Sequence, residues 1–133
     1  MGELQVPNTA NRRSKGLNIR IWRLAFGACM LGVMVLSLVP IGTEVPSTGW
    51  DKTNHLLGFS VLAILGCWSY PNRVITVLVG LLAYGALIEG LQSLTPHRFA
   101  EWGDLLADGL GLLLGWALVR LATVAAFLQR RRN

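Results

Sequence analysis

Four apolar stretches, each cut off by proline or a knot of polar residues, constrain this chain more than any other feature. They cover about residues 21–39, 54–70, 74–94 and 104–127. An α-helix rises about 1.5 Å per residue, so roughly 20 apolar residues cross the hydrocarbon of a bilayer. The first stretch stops at Pro40 and the third at Thr95-Pro96, where the chain must leave a helix. Tyr70-Pro71-Asn72-Arg73 reads as a tight turn between the second and third. The second stretch is short for a bilayer and crosses with its polar ends at the interface or with local thinning. The expected fold is therefore all-α, a four-helix transmembrane bundle.

Composition excludes the soluble alternative. Of 133 residues, 53% are hydrophobic and 14% charged, against about 25% charged in an average soluble domain. A water-soluble fold of this length has too small a core to hide such stretches. The 15 glycines also fit membrane helices, where glycine is frequent.

The net charge of +5 is concentrated at the ends of the chain. Arg12, Arg13, Lys15, Arg20 and Arg23 flank the start of the first stretch, and Arg130, Arg131 and Arg132 follow the last. These residues lack a polar domain on which a groove could form, so nucleic acid is not an expected partner. They read as cytoplasmic anchors, joined by Arg73, while the remaining loops hold only Lys52 and Arg98. Both termini are then expected in the cytoplasm, with the two longer loops facing outward. The basic start resembles a signal peptide, but no A-x-A-like site follows, so the first stretch is expected to stay. The expected organisation is a disordered basic leader over 1–20, a four-span domain over 21–128 and a basic tail over 129–133. Such a chain belongs in the cell's inner (plasma) membrane as a multi-pass protein. Cys29 and Cys67 lie inside apolar stretches without a neighbouring Cys or His at metal spacing, and no metal or cofactor is expected.

Several polar residues do not belong in lipid. An ionisable side chain near the bilayer centre costs roughly 2–3 kcal/mol or more. Yet Asp51, Lys52 and His55 open the second stretch, Glu89 and Gln92 sit late in the third, and Asp104 and Asp108 open the fourth. Asp51 and His55 are four apart, Glu89 and Gln92 three, Asp104 and Asp108 four, so each pair shares one helix face. Three helices can thus aim these groups into one outward pocket, with Arg98 as the cation able to bridge carboxylates or hold a phosphate. Simpler roles exist singly. Asp51 and Asp104 suit helix N-caps, Lys52 an interfacial position and Glu89 a hydrogen bond between helices. Together they exceed what caps require. Gly111 and Gly115 form a G-x-x-x-G near the face of Asp104 and Asp108, suited to close packing within the bundle or between two copies.

These blocks resemble the VanZ-like membrane proteins. The resemblance rests on Asp51-Lys52-x-x-His55-x-x-x-Phe59, then Glu89-x-x-Gln92, then Arg98-x-x-x-x-x-Asp104-x-x-x-Asp108-x-x-Gly111-x-x-x-Gly115. It covers about residues 50–116 and the four-span layout. Asp108 stands where the family often carries Asn, which puts the need for a charge there in question. Leu56 stands where an aromatic residue often follows the histidine. The family is named for a protein associated with resistance to the glycopeptide teicoplanin, so the resemblance implies a cell-envelope role.

Two functions fit the residues best. A binder would take an amphiphilic, lipid-linked or lipopeptide/glycopeptide ligand through Asp51, Lys52, His55, Glu89, Gln92, Arg98, Asp104 and Asp108. An enzyme on a lipid-linked substrate would use His55 as acid or base, with Glu89 or Asp104 orienting it. Sequence leaves open whether any reaction is catalysed. An ion-coupled carrier lacks a continuous polar path, since between Asp108 and Arg120 the fourth stretch is apolar apart from glycines. A scaffold role also remains.

Overall fold

A computed structural model describes residues 9–38, 50–94 and 101–132, with side chains described at 16–38, 52–94 and 101–132. Four helices follow one another: α1 (Thr9–Leu38), α2 (Trp50–Ser69), α3 (Val74–Gln92) and α4 (Trp102–Arg132). The described residues contain no strand. Among the described residues, three helical segments are long and apolar enough to cross a membrane: Gly16–Leu38, Val74–Gln92 and Trp102–Arg132.

The helix ends depart from the sequence reading in two directions. Helix α1 begins at Thr9, so residues 9–20 are helical and do not form an irregular leader. No proline interrupts Thr9 to Leu38, and Ala10, Arg12, Arg13, Lys15 and Leu17 are good helix formers. Helix α4 likewise carries its 31 residues through Arg132, absorbing most of the basic tail. Helix α2 starts at Trp50 and has 20 residues, about 30 Å at 1.5 Å each, so it is not short. It is missing from the three apolar segments because Lys52, Asn54 and His55 occupy its first turns.

The one helix outside the three long apolar segments has the most extensive contacts. Helix α2 touches α1, α3 and α4, and its contact with α4 is the most extensive in the bundle. Phe59, Leu62 and Ala63 of α2 are fully buried and pack with Leu81 and Ile88 of α3 and Leu112 of α4. The other helices turn large apolar side chains outward, including Leu24 and Leu31 on α1, Ile75 and Val79 on α3, and Leu121 on α4. In water such a surface would be an aggregation or docking patch; in a bilayer it faces its own solvent. Lipid tails are as apolar as leucine, so the bundle is held by close packing and hydrogen bonds, with no hydrophobic drive between helices.

Close packing is visible between α2 and α4. A Cβ on Gly111 would collide with the Leu56 carbonyl oxygen and lie 3.1 Å from Phe59 Cβ. One on Gly115 would collide with the Ser60 carbonyl oxygen and lie 2.8 Å from Ala63 Cβ. The G-x-x-x-G face is therefore packed against α2 of the same chain. Helix α3 is tied to α1 by Tyr84, whose hydroxyl donates to the Met30 carbonyl at 2.5 Å.

The far end of the bundle is basic and aromatic. The Tyr70–Arg73 turn forms as the sequence indicates, with the Arg73 N–H donating to the Tyr70 carbonyl at 2.9 Å. Arg23 donates to the Ser69 carbonyl at 3.3 Å and lies 4.7 Å from the Tyr70 ring centre, while Trp22 packs on Trp68. Arg120 and Arg131 rest over Trp116 and Phe127.

Candidate functional site

At the opposite end, the first turns of α2 and α4 meet the last turn of α3. Asp108, fully buried on α4, is the centre of this meeting. Its Oδ1 lies 2.9 Å from Nδ1 of His55 on α2. In the Nδ1–H tautomer His55 donates to this oxygen, with Nε2 as the second ring nitrogen. Phe59, one turn further along α2, lies nearly parallel to the His55 ring at 8°, with the ring centres 6.4 Å apart. Helix α3 makes room with Gly85, where a Cβ would collide with Asp108 Oδ2. A larger residue at 85 would push the carboxylate off the histidine.

One turn beyond Gly85, Glu89 reaches the same space. It is 6% exposed, as is Asp104, and His55 is 7% exposed. A nitrogen of His55 and one carboxylate oxygen each from Glu89 and Asp104 lie within 4.8 Å of one another. Glu89 Oε2 accepts the backbone N–H of Glu101 at 3.2 Å, which pins the entry of α4 onto α3. Glu89 Oε1 is buried and has no hydrogen-bond partner among the described residues.

Lys52 and Glu101 form the rim. Lys52 Nζ donates to Glu101 Oε2 at 2.7 Å and lies 3.7 Å from Asp104 Oδ1, with half its side chain exposed. The hydrogen bond from Lys52 holds the Glu101 carboxyl below its ordinary value. Beside Glu89 a cleft of about 280 Å³ opens between α3 and α4, lined by Ala86, Glu89, Gly90, Glu101, Trp102 and Leu105. A groove of about 370 Å³ lined by Asn18, Ile19, Trp22 and Trp68 lies far from this chemistry.

Residues 23–123, more than half of the chain, match the VanZ/LLP1 family. The chain belongs to the VanZ/LLP1 family. It is a membrane protein of that family by the match together with its three long apolar helices. No curated protein and no solved structure matches the chain significantly.

Of the residues that the sequence singles out, this VanZ/LLP1 protein gathers Lys52, His55, Glu89, Asp104 and Asp108 at one end. Gln92 is buried there too, but its amide donates to the Ser37 carbonyl of α1 at 2.9 Å, so it also works as a strap between helices. The Asp51 side chain and Arg98 lie outside the described residues. Asp104 sits in the first turn of α4, and its own N–H donates to the Glu101 carbonyl at 3.0 Å. Glu101 is a member of the rim that sequence reasoning misses. Its signal is faint: an acid three residues ahead of Asp104, in a loop where acids are ordinary.

Proposed function

We propose that this VanZ/LLP1 protein is a multi-pass protein of the inner membrane whose polar end faces outward and binds an amphiphilic, lipid-linked or lipopeptide/glycopeptide envelope ligand. The observation that carries this reading is a buried cluster of His55, Glu89, Asp104 and Asp108 beside a cleft between α3 and α4. Ionisable groups sunk among membrane helices are expensive and mark functional sites. In the proposed arrangement α2 is the fourth span, packed on three neighbours with Leu57, Val61 and Trp68 left to face lipid. The basic, aromatic end then lies in the cytoplasm, as the positive-inside rule requires. The acyl part of the ligand lies along the lipid-facing surfaces of α3 and α4. Its polar head meets the rim, where Lys52 holds an anionic group, with Arg98 as the second cation that the sequence suggests, and the buried carboxylates take hydroxyl or amine donors.

The test uses the full chain in nanodiscs with labelled teicoplanin and a deacylated form as probes. Saturable binding of the acylated form, weakened at least tenfold by Lys52→Ala and Arg98→Ala, supports the reading. Equal binding of both forms, or binding that neither variant changes, contradicts it. Expression of the chain should also lower teicoplanin susceptibility.

A second reading, an enzyme on a lipid-linked substrate, is favoured by one observation. Asp108 orients His55 as a carboxylate orients a general base in acid–base and nucleophilic catalysis. Product formation lost in His55→Gln, with binding retained, would select this reading over the binder.

A further inference from the structure

We infer that His55, Glu89 and Asp104 form a binding site for one divalent transition-metal ion of the zinc and manganese class. Asp108 is the outer-shell group that orients the histidine. The inference does not rest on the proposed ligand, since the ion is measured without any amphiphile.

Three independent features point the same way. First, one donor atom from each of the three residues lies within 4.8 Å of the other two. Tetrahedral ligands at roughly 2.1 Å from a metal are about 3.4 Å apart, so small side-chain rotations close the set. Second, the His55–Asp108 contact at 2.9 Å reproduces the carboxylate–histidine–metal pattern, in which a carboxylate on one ring nitrogen presents the other to the ion. Third, Glu89 is 6% exposed, and its Oε1 has no hydrogen-bond partner among the described residues. A buried carboxylate oxygen left this way calls for a proton or a cation.

Glu89, Asp104 and Asp108 bring three carboxylates together with one imidazole. Lys52 is half-exposed, donates to Glu101 at 2.7 Å and lies 3.7 Å from Asp104 Oδ1. A divalent ion ligated by Glu89 Oε1 would satisfy that buried oxygen and hold the converging carboxylates together. One nitrogen and two oxygens form a borderline-to-hard donor set, which suits zinc, manganese or iron(II) over copper(I). Three protein ligands leave a coordination position, and the cleft beside Glu89 gives it access. No sequence spacing reveals the site because its ligands come from three different helices.

The experiment uses the full chain in detergent, carrying no histidine tag, stripped with chelator and dialysed. Zinc is titrated calorimetrically, and cobalt(II) serves as the spectroscopic probe. The expected result is one equivalent per chain, with cobalt giving the intense visible bands of a low-coordinate nitrogen and oxygen site. Glu89→Gln and Asp104→Asn, each chosen to keep shape, should weaken binding by more than the roughly 100-fold that bounds outer-shell changes. Asp108→Ala should cost about 10–100-fold, and Lys52→Ala should leave binding intact or tighten it. If His55→Gln fails to fold, the two carboxylate variants and the cobalt spectrum of the unaltered chain still decide. No stoichiometric metal, or equal affinity in Glu89→Gln and Asp104→Asn, overturns the site.

Discussion

Uncoupling Asp108 from His55 separates a specific buried hydrogen bond from general polarity at this end of the bundle. The single substitution Asp108→Ala has opposing effects. It removes the acceptor of a 2.9 Å contact between two buried groups, and a hydrogen bond to a charged group contributes about 1.5–3 kcal/mol. It also removes one of three neighbouring carboxylates, which relieves repulsion and desolvation by a comparable amount. Membrane double-mutant cycles give smaller couplings, about 0.6 kcal/mol on average and roughly 1.7 at most, because the unfolded chain finds other partners. The burial of both groups places this pair at the upper end. The expected coupling between Asp108→Ala and His55→Ala is therefore about 1–2 kcal/mol, a factor of roughly 5–30 in the unfolding equilibrium. The assay is reversible unfolding in mixed micelles of the parent, both single variants and the double variant. Asp108→Asn keeps an acceptor oxygen and should retain most of the coupling. Additivity within about 0.5 kcal/mol, or Asp108→Asn behaving like Asp108→Ala, would refute the orienting role.

Three further outcomes follow from the packing and the rim. Gly115→Leu drives a side chain into the Ser60 carbonyl and Ala63 and should destabilise the bundle by about 1–3 kcal/mol or more, read as a lower unfolding midpoint in detergent. Gln92→Leu removes the hydrogen bond that the side-chain amide donates to the Ser37 carbonyl and should cost about 1 kcal/mol, read in the same assay and as faster hydrogen exchange at the end of α1. Glu101 has a carboxyl lowered from its ordinary value of 4.5 by its hydrogen bond from Lys52. Its stabilising contribution is fully present above that ordinary value and is lost as pH falls through the depressed one. Glu101→Gln should therefore flatten the acid limb of the stability profile; an unchanged limb contradicts the rim pair.

The membrane helices are legible in the sequence because long apolar runs with so few charges fit lipid and little else. Their ends are less so. The chain from Thr9 to Arg20 is basic and polar, which suggests an irregular leader, yet it contains no proline and continues α1. Helix α2 begins four residues ahead of its apolar stretch, because polar residues at its start resemble a loop. In the fold that helix packs on α1, α3 and α4. The gathering of His55, Glu89, Asp104 and Asp108 can be anticipated from cost: separate ionisable groups in lipid are dearer than clustered ones. Gln92 and Glu101 show where that reasoning stops. A residue near a helix end can face either neighbour, and only packing directs Gln92 to Ser37. Glu101 lies where acids are cheap, so nothing in its surroundings flags its contacts with Lys52 and Glu89.

The proposed outward-facing binding function requires α2 to cross the bilayer, with its first turn and that of α4 on the outer side. In a background carrying Cys29→Ala and Cys67→Ala, single cysteines at 52, 73 and 101 are probed in intact cells with a membrane-impermeant maleimide. Cysteines replacing Lys52 and Glu101 should label directly, and one replacing Arg73 only after permeabilisation. Labelling of 52 and 73 from the same side, or of 52 and 101 from opposite sides, contradicts that topology.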